Sequence, residues 1–135
     1  RVISISPSEI DASNILLCRM DGMRKSVSEF NALTTHAIVD GDRVPANMPL
    51  STIAVVKGDD KVDCVRAASI LAKVTHDRKL IEQSKMYPNF TFSKHKGYGT
   101  KAHKEELAAF GPTPLHRYSF KPVRIAHEEL LERQN

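Results

Sequence analysis

The sequence predicts an α/β protein in which short buried strands alternate with amphipathic helices. Two apolar runs, Ala37 to Val39 and Ile53 to Val56, each end in a turn that carries an aspartate. Elsewhere apolar residues recur every three or four positions, the period of a helix with one buried face. Strands interleaved with helices in this way indicate a sheet with helices packed against it.

The first residues favour a strand. Ile3 and Ile5 alternate with Ser4 and Ser6, the pattern of a half-buried strand. Because Pro7 and then a helical pattern follow this strand, we expect its pairing partner to lie upstream of Arg1.

Four helices are predicted after this strand. Asp11 or Ser13 can cap the first, whose apolar stripe we interpret as core. That stripe consists of Leu16, Met20, Met23, Val27 and Phe30. A second helix is predicted from about Val65 to Lys85 and ends before Pro88. Its predicted inner face consists of Ala67, Ile70, Leu71, Val74 and Ile81.

Two further helices are predicted in the last third of the chain. Thr100 is expected to cap the first of them and Gly111-Pro112 to end it. The other begins at about Val123 and carries Ala126 and Leu130 on the same side.

Length and composition indicate one domain over residues 1–135, with a helical part from about residue 101. No apolar run approaches the roughly 20 residues that span a bilayer, and no signal-peptide pattern is present. We therefore expect a soluble, cytoplasmic protein. Cys18 and Cys64 are isolated and are interpreted as reduced thiols.

The net charge of +4 favours a polyanionic partner. Basic residues concentrate around Gly97-Tyr98-Gly99, with no acid between Lys94 and Lys104. A basic loop with a central aromatic residue suits phosphates and a sugar or base. A solvated run of charges is the alternative interpretation.

Asp40 and Asp59 each follow the end of an apolar run. If the two strands are parallel, both carboxylates emerge at the same edge of the sheet, where α/β proteins place ligands. Carboxylates are ligands that Mg²⁺ prefers, so the pair is a candidate metal site. The alternative is ordinary turn chemistry after a strand.

Several motifs occur in one collinear order along nearly the whole chain. They are Ile38-Val39-Asp40-Gly41, Lys57-Gly58-Asp59-Asp60, Ala67 through Arg78, His95-Lys96-Gly97-Tyr98-Gly99-Thr100, Gly111-Pro112-Thr113, and His116 through Val123. In this order the chain resembles the C-terminal two thirds of ribonuclease HII. The Asp-Glu pair and Gly-Arg-Gly turn that open this family are absent from the chain, and we expect them upstream of Arg1.

The resemblance implies a ribonuclease H-like mixed sheet flanked by helices and truncated at its N-terminus. It also implies a metal-dependent endonuclease of DNA replication and repair. Such an enzyme hydrolyses the RNA strand of RNA–DNA hybrids and cuts 5′ to ribonucleotides embedded in duplex DNA, by a two-metal mechanism with Mg²⁺ or Mn²⁺. Asp40 and Asp59 correspond to two of its four metal-binding, catalytic carboxylates. The present chain alone is therefore expected to be inactive, and the complete protein to be a monomer.

Within the resemblance, Tyr98 is the residue expected to read the substrate at the RNA–DNA junction. Lys57, Lys73, Lys94 and Lys96 are expected to contact phosphates. Arg117 and Ser119 are also candidate phosphate contacts, although the segment around them could equally anchor the last helix.

Two other functions are alternatives to this one. A non-catalytic hybrid-binding fragment or degenerate homologue would bind the duplex without cleaving it. A phosphate-handling metabolic enzyme is disfavoured, because the sequence contains no G-x-x-x-x-G-K-[ST] loop.

Overall fold

The structure, a computed structural model, describes residues 1–134. Within them it contains seven helices and two strands. In chain order these are α1 (Pro7–Asp11), α2 (Ile15–Ser28), β1 (His36–Asp40), β2 (Ser51–Val55), α3 (Gly58–Lys61), α4 (Asp63–Ser84), α5 (Phe92–His95), α6 (Lys101–Phe110) and α7 (Lys121–Gln134).

The two predicted strands are confirmed, and they pair in parallel. The register runs from His36 opposite Ser51 to Asp40 opposite Val55. Just beyond it, the Gly41 N–H donates to the Val55 carbonyl at 3.0 Å. Because parallel strands end at the same edge of a sheet, Asp40 lies where the chain leaves β2 for α3.

The predicted strand at residues 2–6 is wrong, since this segment has no strand pairing. Ser6 instead caps α1 in a reciprocal capping box. Its Oγ accepts the Glu9 N–H at 3.3 Å, and Glu9 Oε2 accepts the Ser6 N–H at 2.7 Å. With Pro7 in the first turn, this local helix-start chemistry outweighs a short alternating pattern.

The predicted cap and core stripe of α2 are also wrong. Asn14 is the cap, its Oδ1 accepting the Leu17 N–H at 2.9 Å, whereas Asp11 ends α1. No residue of α2 is buried in the described chain. The apolar period predicted the helix correctly but not the covering of its face.

Helix α4 has nearly the predicted bounds but not the predicted burial. Val65 is its one buried residue among those described. On the predicted inner face, Ile70 is 56% exposed and Leu71 is 64% exposed. A periodic pattern identifies a face, whereas burial requires another element to pack on it.

The chain divides into two compact units. The first comprises Arg1–Ile5 and Ser13–Val74, and the second comprises Ser6–Ala12 and Thr75–Asn135. The first contains the sheet, and the second contains α6 and α7. That residues 1–135 form a single domain stays a prediction.

The core of the second unit forms where α6 and α7 pack together. Leu107 of α6 contacts Val123 and Ala126 of α7, and all three are buried. Thr100 caps α6 as predicted, its Oγ1 accepting the His103 N–H at 3.2 Å. The predicted stop is confirmed as well, because Gly111 follows the helix with φ of 74°.

None of the helices in residues 1–134 combines the length and the apolar character needed to cross a membrane.

Candidate active site

The first group of candidate residues lies at the carboxyl end of β1. Asp40 is exposed, and its Oδ1 accepts the Gly58 N–H at 2.8 Å. A Cβ atom added to Gly58 would lie 3.3 Å from Val65 Cγ1 and 3.4 Å from Asp40 Oδ1. Glycine therefore permits the turn after β2 to lie close against Asp40. Since Asp59 follows Gly58 directly, the backbones of Asp40 and Asp59 both lie at the carboxyl end of the two strands.

An arginine that the sequence did not single out holds α3 in place. Arg66 Nε donates to the Asp59 carbonyl at 2.9 Å, and Arg66 Nη2 donates to the Asp60 carbonyl at 2.6 Å. Its Nη1 also pairs with Asp63 Oδ1 at 2.9 Å. The same guanidinium thus satisfies carbonyls of the short helix that carries Asp59 and fixes the direction of its backbone.

The donor chemistry of Asp40 and Asp59 fits a hard divalent cation. Mg²⁺ commonly binds through one or two carboxylates together with substrate phosphates. One lone pair of Asp40 Oδ1 is used by Gly58, and its second oxygen has no hydrogen bond among those of the described residues. No set of three or more His, Cys, Asp or Glu side chains in residues 1–134 is arranged to hold a metal ion. A cation held by Asp40 and Asp59 would need further ligands from outside the residues that the structure describes or from the substrate.

Lys57 and Lys73 belong to the same unit as the two aspartates. Lys57 directly precedes α3 in a left-handed conformation, with φ of 54°, and its side chain is exposed. Lys73 is exposed on α4.

The second group of candidate residues lies in the second unit, on the loop between α5 and α6. Tyr98 is 55% exposed, and its ring centroid lies 6.4 Å from that of His76 on α4. Lys96 and Gly97 both have positive φ, 50° and 76°. These two left-handed residues turn the chain sharply and present the Tyr98 ring at the surface.

Lys94 and Lys96 flank the same loop. Lys94 is exposed on α5, and the Lys96 ammonium group donates to the Ser93 carbonyl. Lys96 therefore already contributes to the shape of the loop.

Beneath the loop lie three buried histidines, His95, His103 and His116. Burial, together with the repulsion that a protonated His103 would add, lowers the pKa of His116 to about 4. Burial also lowers the pKa of His103, against the raising effect of its hydrogen bond to the Tyr98 carbonyl. Both rings are therefore neutral at neutral pH.

Arg117 and Ser119 lie before α7 and are engaged with other residues of the second unit. The Arg117 guanidinium lies 5.2 Å from the centroid of the Phe120 ring. The Ser119 hydroxyl donates to Asp11, which also accepts the backbone N–H of Tyr118 at 2.7 Å. These bonds, the Ser119 hydroxyl foremost, lower the pKa of Asp11.

Sequence reasoning missed Arg66, His76 and the role of the buried histidines. His95 was counted as part of a basic loop, although its side chain is only 2% exposed. The sequence offered one sign that histidines are buried here. His103 lies four positions before the apolar Leu107, on the same face of α6, and both are buried.

Comparison of the structure with known structures identifies the fold, and comparison of the sequence with known sequences identifies the family. The structure superposes on the ribonuclease H2 of Pyrococcus horikoshii OT3 with a TM-score of 0.72, over 97% of this chain and 68% of that chain, at 24% identity. This likeness confirms the predicted ribonuclease H-like α/β fold.

The sequence profile of ribonuclease HII matches residues 2–123. The ribonuclease HII of Marinomonas sp. (strain MWYL1) is 47% identical over 116 residues, which are 86% of this chain and 58% of the relative. That of Shewanella pealeana (strain ATCC 700345 / ANG-SQ1) is 46% identical over 123 residues, 91% of this chain and 60% of the relative. The chain belongs to the ribonuclease HII family, and it spans between half and two thirds of the length of these relatives.

Proposed function

We propose that the protein containing this chain is a metal-dependent endonuclease acting on RNA–DNA hybrids. It hydrolyses the RNA strand of hybrids and cuts duplex DNA 5′ to an embedded ribonucleotide. The observation that carries the proposal is the corner of the sheet where the Gly58 turn lies against Asp40, in a chain of the ribonuclease HII family.

Asp40 and Asp59 would hold Mg²⁺ or Mn²⁺ in this proposal. When bound, such ions activate a water nucleophile and stabilise the leaving 3′-oxygen of the scissile phosphodiester. The contribution of the protein is to orient the two carboxylates. The Gly58 N–H fixes one oxygen of Asp40, and Arg66 fixes the backbone of Asp59.

Two ions about 3.5–4 Å apart require more oxygen ligands than two carboxylates provide. We therefore propose that the 135-residue chain by itself cleaves little or not at all. Experiments on activity accordingly use the full polypeptide that contains these residues.

Substrate recognition is proposed to divide between the tyrosine and the basic residues. Tyr98, exposed on its turn, packs on the sugar at the junction between ribonucleotide and deoxyribonucleotide. Phosphate contacts read neither sugar nor sequence and set general affinity. The proposed phosphate contacts are Lys57, Lys73, Lys94, Lys96, Arg117 and Ser119.

The proposal is tested with duplex DNA that contains one ribonucleotide. The full polypeptide should cut it 5′ to the ribonucleotide with Mg²⁺ or Mn²⁺ and should leave the all-DNA duplex intact. Binding of the ribonucleotide duplex without cleavage under these conditions would reject the enzymatic proposal.

That outcome would favour a non-catalytic hybrid-binding protein. A specific observation supports this second candidate, because the described part of the chain contains no group of three or more His, Cys, Asp or Glu side chains arranged to hold a metal ion. Retained affinity of the full polypeptide for hybrids, with no turnover in either metal, distinguishes it.

The setting of the activity follows from the proposed substrate. We propose a monomeric cytoplasmic enzyme of DNA replication and repair, because ribonucleotides are incorporated into DNA during its synthesis. The sedimentation of the full polypeptide tests the monomeric state.

A further inference from the structure

A cluster of aromatic and imidazole rings lies in the second unit and has no part in the proposed chemistry. His103 stacks on His95 with centroids 4.1 Å apart and planes within 8° of parallel. Phe90 and Phe92 pack around the histidines and are themselves buried. Three imidazoles in so apolar a setting need defined hydrogen-bond partners, because buried polar groups without partners are costly.

The hydrogen bonds determine which nitrogen of His116 carries its proton. The Thr113 backbone N–H donates to His116 Nδ1 at 2.9 Å. A backbone N–H can only donate, so Nδ1 is the unprotonated nitrogen. In neutral His116 the proton is therefore on Nε2, which lies 2.9 Å from His103 Nε2.

The same reasoning assigns the proton of His103. Its Nδ1 lies 2.9 Å from the Tyr98 carbonyl oxygen, which can only accept. Nδ1 therefore carries the proton, and Nε2 accepts from His116. The result is a chain of hydrogen bonds with one direction, from Thr113 through His116 and His103 to the Tyr98 carbonyl.

A second series of hydrogen bonds holds Gly97, the residue before Tyr98 in the loop. The Gly97 N–H donates to His95 Nδ1 at 3.1 Å, so the proton of His95 lies on Nε2. This Nε2–H donates to Glu106 Oε2 at 2.9 Å. Thr91 also donates to Glu106, and although burial raises the pKa of this carboxyl, the hydrogen bonds from Thr91 and His95 outweigh burial and lower it.

We propose that His103 and His116 are positioning residues for Tyr98. They hold its carbonyl, and thereby direct its exposed ring, for recognition of the ribonucleotide. The inference rests on the proposed function for the role of Tyr98. The two series of hydrogen bonds act on consecutive residues, one on the N–H of Gly97 and the other on the carbonyl of Tyr98. The peptide bond that joins Gly97 to Tyr98 is therefore held on both sides.

We call the hydrogen-bonded series from Thr113 through His116 and His103 to the Tyr98 carbonyl the relay. It forms only when the rings of His103 and His116 are both neutral. A proton added to His103 would place two N–H groups against each other between the Nε2 atoms. The titratable groups that face His103 are His116, which contacts its Nε2, His95, which stacks on its ring, and Glu106. His95 opposes a positive charge on His103, whereas Glu106, which accepts the His95 Nε2–H, favours one.

The first test measures the tautomers directly. In the full polypeptide at neutral pH, two-bond ¹H–¹⁵N correlations should show His103 protonated at Nδ1 and His116 protonated at Nε2. The opposite tautomer at either residue, or a doubly protonated ring, would overturn the relay. This measurement does not depend on catalysis.

The second test asks whether His116 acts through Tyr98. The readout is the ratio of affinities for matched duplexes with and without one ribonucleotide. His116→Leu should lower this ratio by about tenfold, because it removes a buried hydrogen-bond donor. In a Tyr98→Ala background the same substitution should leave the ratio unchanged.

Two variants complete the cycle. His116→Gln can still donate to His103 Nε2 and should restore most of the ratio. His127→Leu is the matched control, since His127 contacts the Tyr118 ring outside the relay and its loss should not change the ratio. An equal effect of His116→Leu in both backgrounds would mean a purely structural role and would overturn the inference.

A failure of the proposed function can be distinguished from a failure of the positioning role of the histidines. If the full polypeptide shows no preference for the ribonucleotide duplex, the Tyr98 carbonyl ¹³C shift replaces affinity as the readout. It should move in His116→Leu and stay unchanged in His127→Leu. An unmoved shift in His116→Leu would overturn positioning by the relay whatever the substrate. If His116→Leu does not fold, His116→Gln and the tautomers decide.

Discussion

At the scale of single residues, Asp40 and Tyr98 carry different parts of the proposed function. Asp40 lies at a strand end with one oxygen fixed by a backbone N–H. Tyr98 lies on a turn with its ring exposed and its backbone held from below. Substitution of the first should affect chemistry, and substitution of the second should affect recognition.

Asp40→Asn should lower the cleavage rate of the full polypeptide by about 100-fold or more while its fold is retained, because losing a residue that only supports a metal ligand already costs about 10–100-fold. The substitution removes a negative metal ligand at nearly constant volume. Single-turnover cleavage in Mg²⁺ measures the effect, with circular dichroism as the check on folding. Asp42→Asn changes an exposed carboxylate two positions later and should leave the rate unchanged. Wild-type cleavage by Asp40→Asn would contradict the metal assignment.

Tyr98→Ala should weaken the binding of a duplex with one ribonucleotide by roughly tenfold, because an aromatic contact with a nucleotide contributes about 1–3 kcal/mol. Affinity for the matched DNA duplex should change much less. Tyr98→Phe keeps the ring and serves as the conservative comparison. Equal weakening of both duplexes by Tyr98→Ala would show that the residue has only a packing role.

Replacement of Lys94 by alanine should act on both duplexes alike. Loss of one phosphate contact is expected to reduce the slope of log affinity against log salt by about 0.9 for B-form DNA. A salt titration of binding measures this slope, and Lys85→Ala, a change at an exposed lysine just after α4, provides the comparison. An unchanged slope in Lys94→Ala would remove this lysine from the contact surface.

At the scale of elements, the packing of α6 on α7 depends on the residue that ends α6. Gly111 has φ of 74°, and a Cβ added there would lie 2.4 Å from Leu130 Cδ2 of α7. Side chains both strain this backbone and collide with the neighbouring helix. The glycine is therefore required by conformation and by space together.

Gly111→Ala should lower the free energy of unfolding by about 1–3 kcal/mol, the usual range for overpacking and a strained backbone. Urea unfolding followed by circular dichroism measures it. Gly99→Ala is the matched control, because no atom lies within 4 Å of its added Cβ. A loss for Gly99→Ala as large as that for Gly111→Ala would contradict the steric argument.

At the scale of the whole molecule, the buried histidines make stability depend on pH. Burial lowers the pKa of His116 from 6.5 to about 4, and burial lowers that of His103 as well. Between about pH 4 and pH 6.5 the unfolded chain therefore binds more protons than the folded one. Stability is therefore complete above about pH 6.5 and is lost as the pH falls toward about 4.

The urea midpoint should accordingly be lower at about pH 5 than at about pH 7. His116→Gln cannot take up this proton and should reduce the difference between the two conditions. His127→Gln, at a half-buried position outside the relay, should retain it. A His116→Gln variant with the full wild-type dependence would show that other groups cause it.

The sequence predicted the elements whose signals are long or chemically distinct. β1 and β2 were recognised as apolar runs, and α6 by its cap at Thr100 and its stop at Gly111. The short alternation at residues 2–6 was misleading because the Ser6 capping box and Pro7 start a helix there. The apolar periods of α2 and α4 predicted helices correctly but did not predict which faces are covered.

The sequence by itself determined the two strands, the longer helices α2, α4, α6 and α7, the positions of Asp40 and Asp59 after the strands, and the family. These follow from local periodicity and from motifs a few residues long. The tertiary structure decided that Gly58 lies against Asp40, 18 residues away, and that His103 and His116 form one directed relay, 13 residues apart. Burial and the direction of a hydrogen bond depend on which distant groups meet, and packing decides that.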